Sequence, residues 1–273
     1  MHPTESSPRS VSSAEVIQTI LQLITARELA QSAALLQAVA PMAQQDPRFH
    51  TLQMMQAEAC GQPDQALEAA RTAVRLAPHW GPAQLDLALL LGRLGRCEEA
   101  LAQARKALGM VQVGLPELQQ LIDLAHQAQD RAQAAQWLQQ ALRIEPGHRL
   151  HQQLLAADLS ALGQHAQATA LFDQLLLGDP DDEEALLGRA HALLHAGQRA
   201  AALRDWSALL ARQPDNPAWQ YYHALAQGQT PSTQPSALVG SLFDHMAASF
   251  DRPRVRRLHY QLPQQVARQL LQW

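Results

Sequence analysis

DQALEAARTAVRLAP (64–78), AQAAQWLQQALRIEP (132–146) and AAALRDWSALLARQP (200–214) are three versions of one amphipathic helix closed by a proline. The prolines Pro78, Pro146, Pro180 and Pro214 stand 68, 34 and 34 residues apart, and Gln112 fills the vacant beat. A fixed 34-residue period marks a solenoid built from repeated helical units. Twelve residues before each beat comes an alanine: Ala66, Ala100, Ala134, Ala168 and Ala202. Seventeen before it come Gly61, Gly95, Gln129, Gly163 and Gly197, four of five a residue suited to the left-handed end of a helix. Each unit therefore reads helix, short turn, helix. Eight before the beat lies a core slot whose occupant grows along the chain: Ala70, Ala104, Leu138, Phe172, Trp206. Proline stops the second helix because it lacks an amide donor and restricts the residue before it.

These residues resemble the tetratricopeptide repeat family, with small residues where two antiparallel helices touch and proline at the end of the second. The resemblance covers about 47–216 as units 47–80, 81–114, 115–148, 149–182 and 183–216. It implies an all-α, right-handed helical solenoid of about six helix-turn-helix units. The family's first-helix aromatics are replaced by Gln84, Leu118, Gln152 and Leu186, then by Leu91, Ala125, Leu159 and Leu193. A looser hairpin precedes these units, from Ser13 to about Gln44, in which Pro41 is expected to kink or end the second helix. Asp215, Asn216 and Pro217 open a capping helix that stops near Gly228.

Domain boundaries follow: a polar, disordered stretch over 1–12, the solenoid over 13–228, a linker over 229–236 and a short helical tail over 237–273. Aromatic residues make up 4% of the chain, so leucine and alanine must do the packing, and runs of strand formers are nearly missing. A net charge of -4 argues against general nucleic-acid binding. No apolar run approaches the length of a membrane helix, and the first fifteen residues lack the pattern of a secretory signal, so the expected address is the cytoplasm. Cys60 and Cys97 read as reduced, partly buried thiols.

The tail follows other rules. Phe243, Asp244, Ala247, Phe250 and Asp251, then Leu258, Tyr260 and Pro263, resemble the lead-in of S-adenosylmethionine-dependent methyltransferases fused behind such repeats. In such enzymes a glycine-rich cofactor loop follows, which is not encoded here, so the resemblance implies either the front part of a longer enzyme, with its catalytic domain after Trp273, or a free-standing protein that retains a vestigial lead-in. Arg252, Arg254, Arg256 and Arg257 read as a solvated, ion-paired face.

No catalytic triad, cofactor site or metal site is expected. His191 and His195, four apart on one helix, have a spacing that could hold a metal, but no third ligand is visible. The repeat resemblance instead implies a concave groove lined by Arg48, Met55, Leu85, Leu89, Arg93, Gln119, Asp123, His126, Gln153, Glu184, Leu187, His191, His195 and Tyr221, with Glu58, Gln127 and Ala157 beside them. Leu85 with Leu89, Gln119 with Asp123 and their counterparts stand where some family members hold a terminal carboxylate with lysine and asparagine, so that clamp is absent. The expected partner is a protein or peptide, not nucleic acid or membrane, held in a charge-neutral leucine groove with weak salt dependence. The alternative is a substrate-recruiting arm of a methyltransferase. Partner identity and oligomeric state stay open.

Overall fold

The structure, a computed structural model, describes residues 12–236. Among them are thirteen helices and no strands. The chain divides into two compact units between Asp158 and Leu159. The first holds the hairpins α1 (Ser13–Thr25) with α2 (Leu29–Ala43), α3 (Pro47–Ala59) with α4 (Pro63–Leu76), α5 (Gly81–Arg93) with α6 (Cys97–Leu108), and α7 (Leu115–Gln127) with α8 (Arg131–Ile144). The division falls inside α9 (Arg149–Ala161). The second unit continues with α10 (His165–Gly178), α11 (Glu183–His195), α12 (Arg199–Arg212) and the capping α13 (Pro217–Ala226). Within each unit, successive helices pack antiparallel as an all-α helical solenoid.

The turns show why the period is 34. Gly61, Gly95, Gly163 and Gly197 take φ of 69°, 73°, 77° and 77°, and Gln129 is forced to 60°. The first hairpin obeys the same register: Arg27, 34 residues before Gly61, has φ of 63°. In all six of these turns the residue after the left-handed one donates its amide to a carbonyl five residues back, as Gln62 does to Ala57 and Asp130 to Ala125, closing the first helix. The alanines that follow, Ala66, Ala100, Ala134, Ala168 and Ala202, are all fully buried. At such a contact a larger side chain would push the two helices apart.

Proline acts as expected. α4, α8, α10 and α12 each stop two residues before their proline, because the residue preceding proline is pushed out of helical geometry. Where Gln112 replaces it, α6 stops earlier, at Leu108 with Gly109 as cap. The chain then passes over α5: a Cβ on Gly81 would meet Val111 Cβ at 2.8 Å and the Met110 carbonyl at 3.0 Å. In α2, Pro41 ends the helix two residues on, at Ala43. Ser12 caps α1 through a reciprocal pair with Glu15, and Asp46, Asp130, Asp182 and Asn216 cap α3, α8, α11 and α13. Cys60 is exposed, not partly buried as expected, because it caps the C-terminus of α3; Cys97 is half-buried, and both thiols are free.

The core slot is matched by the residue sixteen positions later, in the next first helix. Phe172 lies where a Cβ on Gly188 would sit 2.3 Å from its ring, and Trp206 stacks on Tyr222 at 5.1 Å. The glutamines that replace the family's first aromatic have their own task. Gln84, Gln152 and Gln220 each donate the side-chain amide to the carbonyl of the proline six residues earlier, at 2.6, 2.8 and 2.7 Å. They tie the end of one repeat to the start of the next.

Gly188→Ala should destabilise the chain by about 1–3 kcal/mol, because the Phe172 ring is buried and cannot yield. Gln129→Gly should stabilise it by about 0.5–1 kcal/mol by relieving left-handed strain. Urea unfolding of the two variants reads both signs.

Candidate functional site

In the first unit the candidate groove runs over α3, α5 and α7, each presenting one stripe. Glu58 on α3 holds Arg93 on α5 in a two-point ion pair, the second contact at 2.9 Å. Between α5 and α7 opens a cavity of about 190 Å³ lined by Leu89, Gly92, Arg93, Gln120, Asp123, Leu124 and Gln127. Gly92 makes it possible: a Cβ there would lie 3.3 Å from Leu124, so the two helices approach closely. Leu89 is half-buried, while Asp123 and Gln127 are exposed. Met55 is half-buried and Arg48, exposed, is folded onto Asp46 at 2.7 Å.

Other expected groove residues are committed elsewhere. Leu85 is buried, with 8% exposure, and serves packing. Gln119 links two helices: its amide donates to Asp123 at 2.8 Å and its oxygen accepts from His151 Nε2 at 2.7 Å. His126 reaches the buried Asp158 at 2.7 Å, which also accepts from Arg131 at 3.0 Å. These polar links join α7 and α8 to α9. His151, stacked on His148 at 3.7 Å, is buried, and desolvation first, then the neighbouring His148, pull its pKa below the usual histidine range. Gln153, on α9, is half-buried.

In the second unit His191 does not face open solvent. Its ring stands edge-on to Trp206 at 4.8 Å and to Tyr222 at 4.4 Å, and burial, with His195 adding to it, pushes its pKa down to about 4. His195 takes another neighbour, stacking on His165 at 5.5 Å. The two histidines thus diverge, and among the described residues no three His, Cys, Asp or Glu side chains gather as a metal site. Tyr221 rests edge-on against Tyr222, its hydroxyl bonded to Gln234 at 3.3 Å. Leu187 is half-buried and Glu184 exposed in the first turn of α11.

Residues 159–227 match the family model of the tetratricopeptide repeat. This is a tetratricopeptide-repeat fold. The chain is similar to the crystal structure of YrrB, a TPR protein with an unusual peptide-binding site, at 16% identity and a TM-score of 0.52 over 71% of this chain and 96% of that one. It is also similar to the Naa15/Naa10 structure bound to HypK-THB, at 15% identity and a TM-score of 0.55, covering 90% of this chain and 44% of that one. No curated protein matches it by sequence. The methyltransferase-like residues Phe243 to Pro263 and the arginines at 252–257 lie outside the described residues.

Within this tetratricopeptide-repeat fold the sequence reading missed Asp86. It stands on α5 one turn before Leu89, on the stripe that carries Arg93, at the register position that Gly188 and Tyr222 occupy later. It is half-buried, and no hydrogen bond or ion pair reaches its carboxylate among the described residues, since Arg93 is engaged by Glu58. Burial pushes its pKa up to about 6, with Arg93 opposing and Glu58 adding to the rise. The signal was available: in GPAQLDLALLLGR (81–93) it is the one acid in an apolar helix.

These two groups make opposite pH predictions. Asp86 has its pKa raised, so its cost grows as pH rises from the unfolded carboxylate range through 6. Asp86→Asn should gain about 1–2 kcal/mol at pH 8 and nothing near pH 4. His191 has its pKa lowered to about 4, so the unfolded chain takes up the proton first and stability drains as pH falls from 6.5 toward 4. Relative to His191→Phe, the native chain should lose about 1–2 kcal/mol between pH 7 and pH 5. Urea titrations across that range check both slopes.

Proposed function

We propose that the protein is an interaction scaffold that holds a peptide or an exposed segment of a partner protein along the first-helix face of its first unit. The observation that carries this reading is the cleft between α5 and α7, where Leu89 and Gln127 remain unengaged while neighbouring polar side chains are locked into the scaffold. Apolar contact with Leu89 and Leu124 would supply affinity, and the fixed charges around it would supply orientation. A rigid face built on helices is suited to this, because the scaffold's ordering cost has already been met in folding. The described helices include none long and apolar enough to cross a membrane. The peptide-binding site named for YrrB, a structure of the same fold, is consistent with such a role.

The test is selection of phage-displayed dodecapeptides on the full chain. Enriched peptides should bind the native protein and lose at least tenfold in affinity with Leu89→Asp combined with Gln127→Asp, while Gln139→Asp, on the exposed face of α8, should leave binding unchanged. Failure to enrich any peptide, or equal loss with the α8 variant, would remove this face as the binding site.

A further inference from the structure

We infer that the start of α9 is an acid-labile joint: a histidine pair, His148 and His151, caps this helix and ties it to α7 only while both rings are neutral.

The joint stands at a repeated place. The residue before each first helix recurs every 34 positions, and at four of these places Ser12, Asp46, Asp182 and Asn216 accept backbone amides of the first turn with a side-chain oxygen. His148 occupies the same position before α9. Its carbonyl accepts from the Gln152 amide at 3.1 Å and its Nδ1 from the His151 amide at 3.2 Å. Asp182 Oδ1 does the same for the Ala185 amide, at 3.0 Å.

The hydrogen bonds fix the protons. A backbone amide can only donate, so His148 Nδ1 carries no proton. The Asp123 carboxylate can only accept, so Gln119 turns its nitrogen to Asp123 and its oxygen to His151, and His151 Nε2 is the donor in the 2.7 Å bond from α9 to α7. His151 Nδ1 is buried without a partner, so a proton there would find no acceptor and the ring is neutral. His151 is 3% exposed, and the two rings stack at 3.7 Å.

Acid undoes both parts. A proton on His148 Nδ1 removes the lone pair that caps the His151 amide and sets positive charge at the positive end of the helix dipole, beside Arg149. A proton on His151 Nδ1 makes a buried cation against its neighbour's ring. Glu145 at the end of α8 and Asp123 on α7 draw a proton toward His151, but burial first and then His148 outweigh them and hold its pKa below the usual histidine range. The unfolded chain therefore takes up the proton first, so the joint is fully closed above about pH 6.5 and its hold drains as pH falls below that. Further along α9, Asp158 accepts from Arg131 on α8 and bonds His126 on α7, which as a cation keeps that bond. Acid thus loosens the first turn of α9 and leaves its later turns held.

Opening the first turn frees Gln119, whose amide holds Asp123 on the wall of the cleft between α5 and α7. For ligands the inference rests on the scaffold reading above; for the helix it does not.

Hydrogen exchange of the full chain, expressed as protection relative to an unstructured amide at the same pH, tests the joint. Between about pH 7.5 and pH 5.5 the amides of 151–153 should lose at least fivefold in protection, while those of 185–187, behind Asp182, should keep theirs. His148→Asp installs the cap used before α11 and gives a His151 cation a partner, so it should remove the loss. Native protection at 185–187 would certify that the variant folds. Imidazole nitrogen shifts of the native chain near pH 7.5 should show both rings protonated on Nε2 alone. Steady protection at 151–153, a loss that persists in His148→Asp, or a proton on either Nδ1 would overturn the joint. Peptides enriched on the groove should bind the native chain at least threefold more weakly at the lower pH and His148→Asp equally at both. Binding to the native chain that ignores pH would overturn the link to the groove, whereas the exchange result stands whether or not any peptide is enriched.

Discussion

The close contact at a buried alanine is the constraint on which the rest of the structure depends. Two helices joined by a three-residue turn can lie antiparallel if one residue turns left-handed and if the facing side chains let the backbones approach. Ala66, Ala100, Ala134, Ala168 and Ala202 meet the second condition with no measurable exposure, and the positive-φ residues from Arg27 to Gly197 meet the first. Gln129 and Arg27 show that the geometry outranks the residue, since each accepts a strained backbone to keep the register.

Because the contact recurs, variation is absorbed between repeats instead of within them. A large Phe172 is answered by Gly188, and Trp206 by the plane of Tyr222. Where a glutamine stands in place of the family's first aromatic, as at Gln84, Gln152 and Gln220, it bonds the preceding proline carbonyl, so a hydrogen bond takes over at that position. Between α7 and α9 the links are polar as well, through Gln119 with His151 and His126 with Asp158. This is how a chain poor in aromatic residues holds its repeats together.

The same links narrow the surface left for binding. Side chains that repeat position marks as groove-lining divide into those bound to the scaffold, such as Gln119 and His126, and those left open, such as Leu89 and Gln127. Asp86 belongs to neither kind. It is a carboxylate held in a partly desolvated position where an asparagine of the same shape would be easier to bury. His191, by contrast, is shielded by two aromatic rings, so its contribution lies in packing the end of the second unit.

Helix order, turn positions, the buried alanines and the ends set by proline were all legible in the residues from Pro47 to Asn216, because each depends on local backbone chemistry repeated at a fixed interval. The first hairpin was harder to place in register, since Arg27 and Gln44 carry none of the usual marks. The site was legible in outline and not in detail. Spacing assigns a residue to a face, but whether Leu85 is sealed, Gln119 spoken for, or His191 wedged between rings depends on the neighbouring helices. Asp86 shows the difference most clearly: the sequence by itself marks it as a lone acid in an apolar helix. Tertiary packing alone decides that it is partly desolvated and that Arg93 is taken by Glu58, because charge pairing and loss of water are properties of several helices brought together.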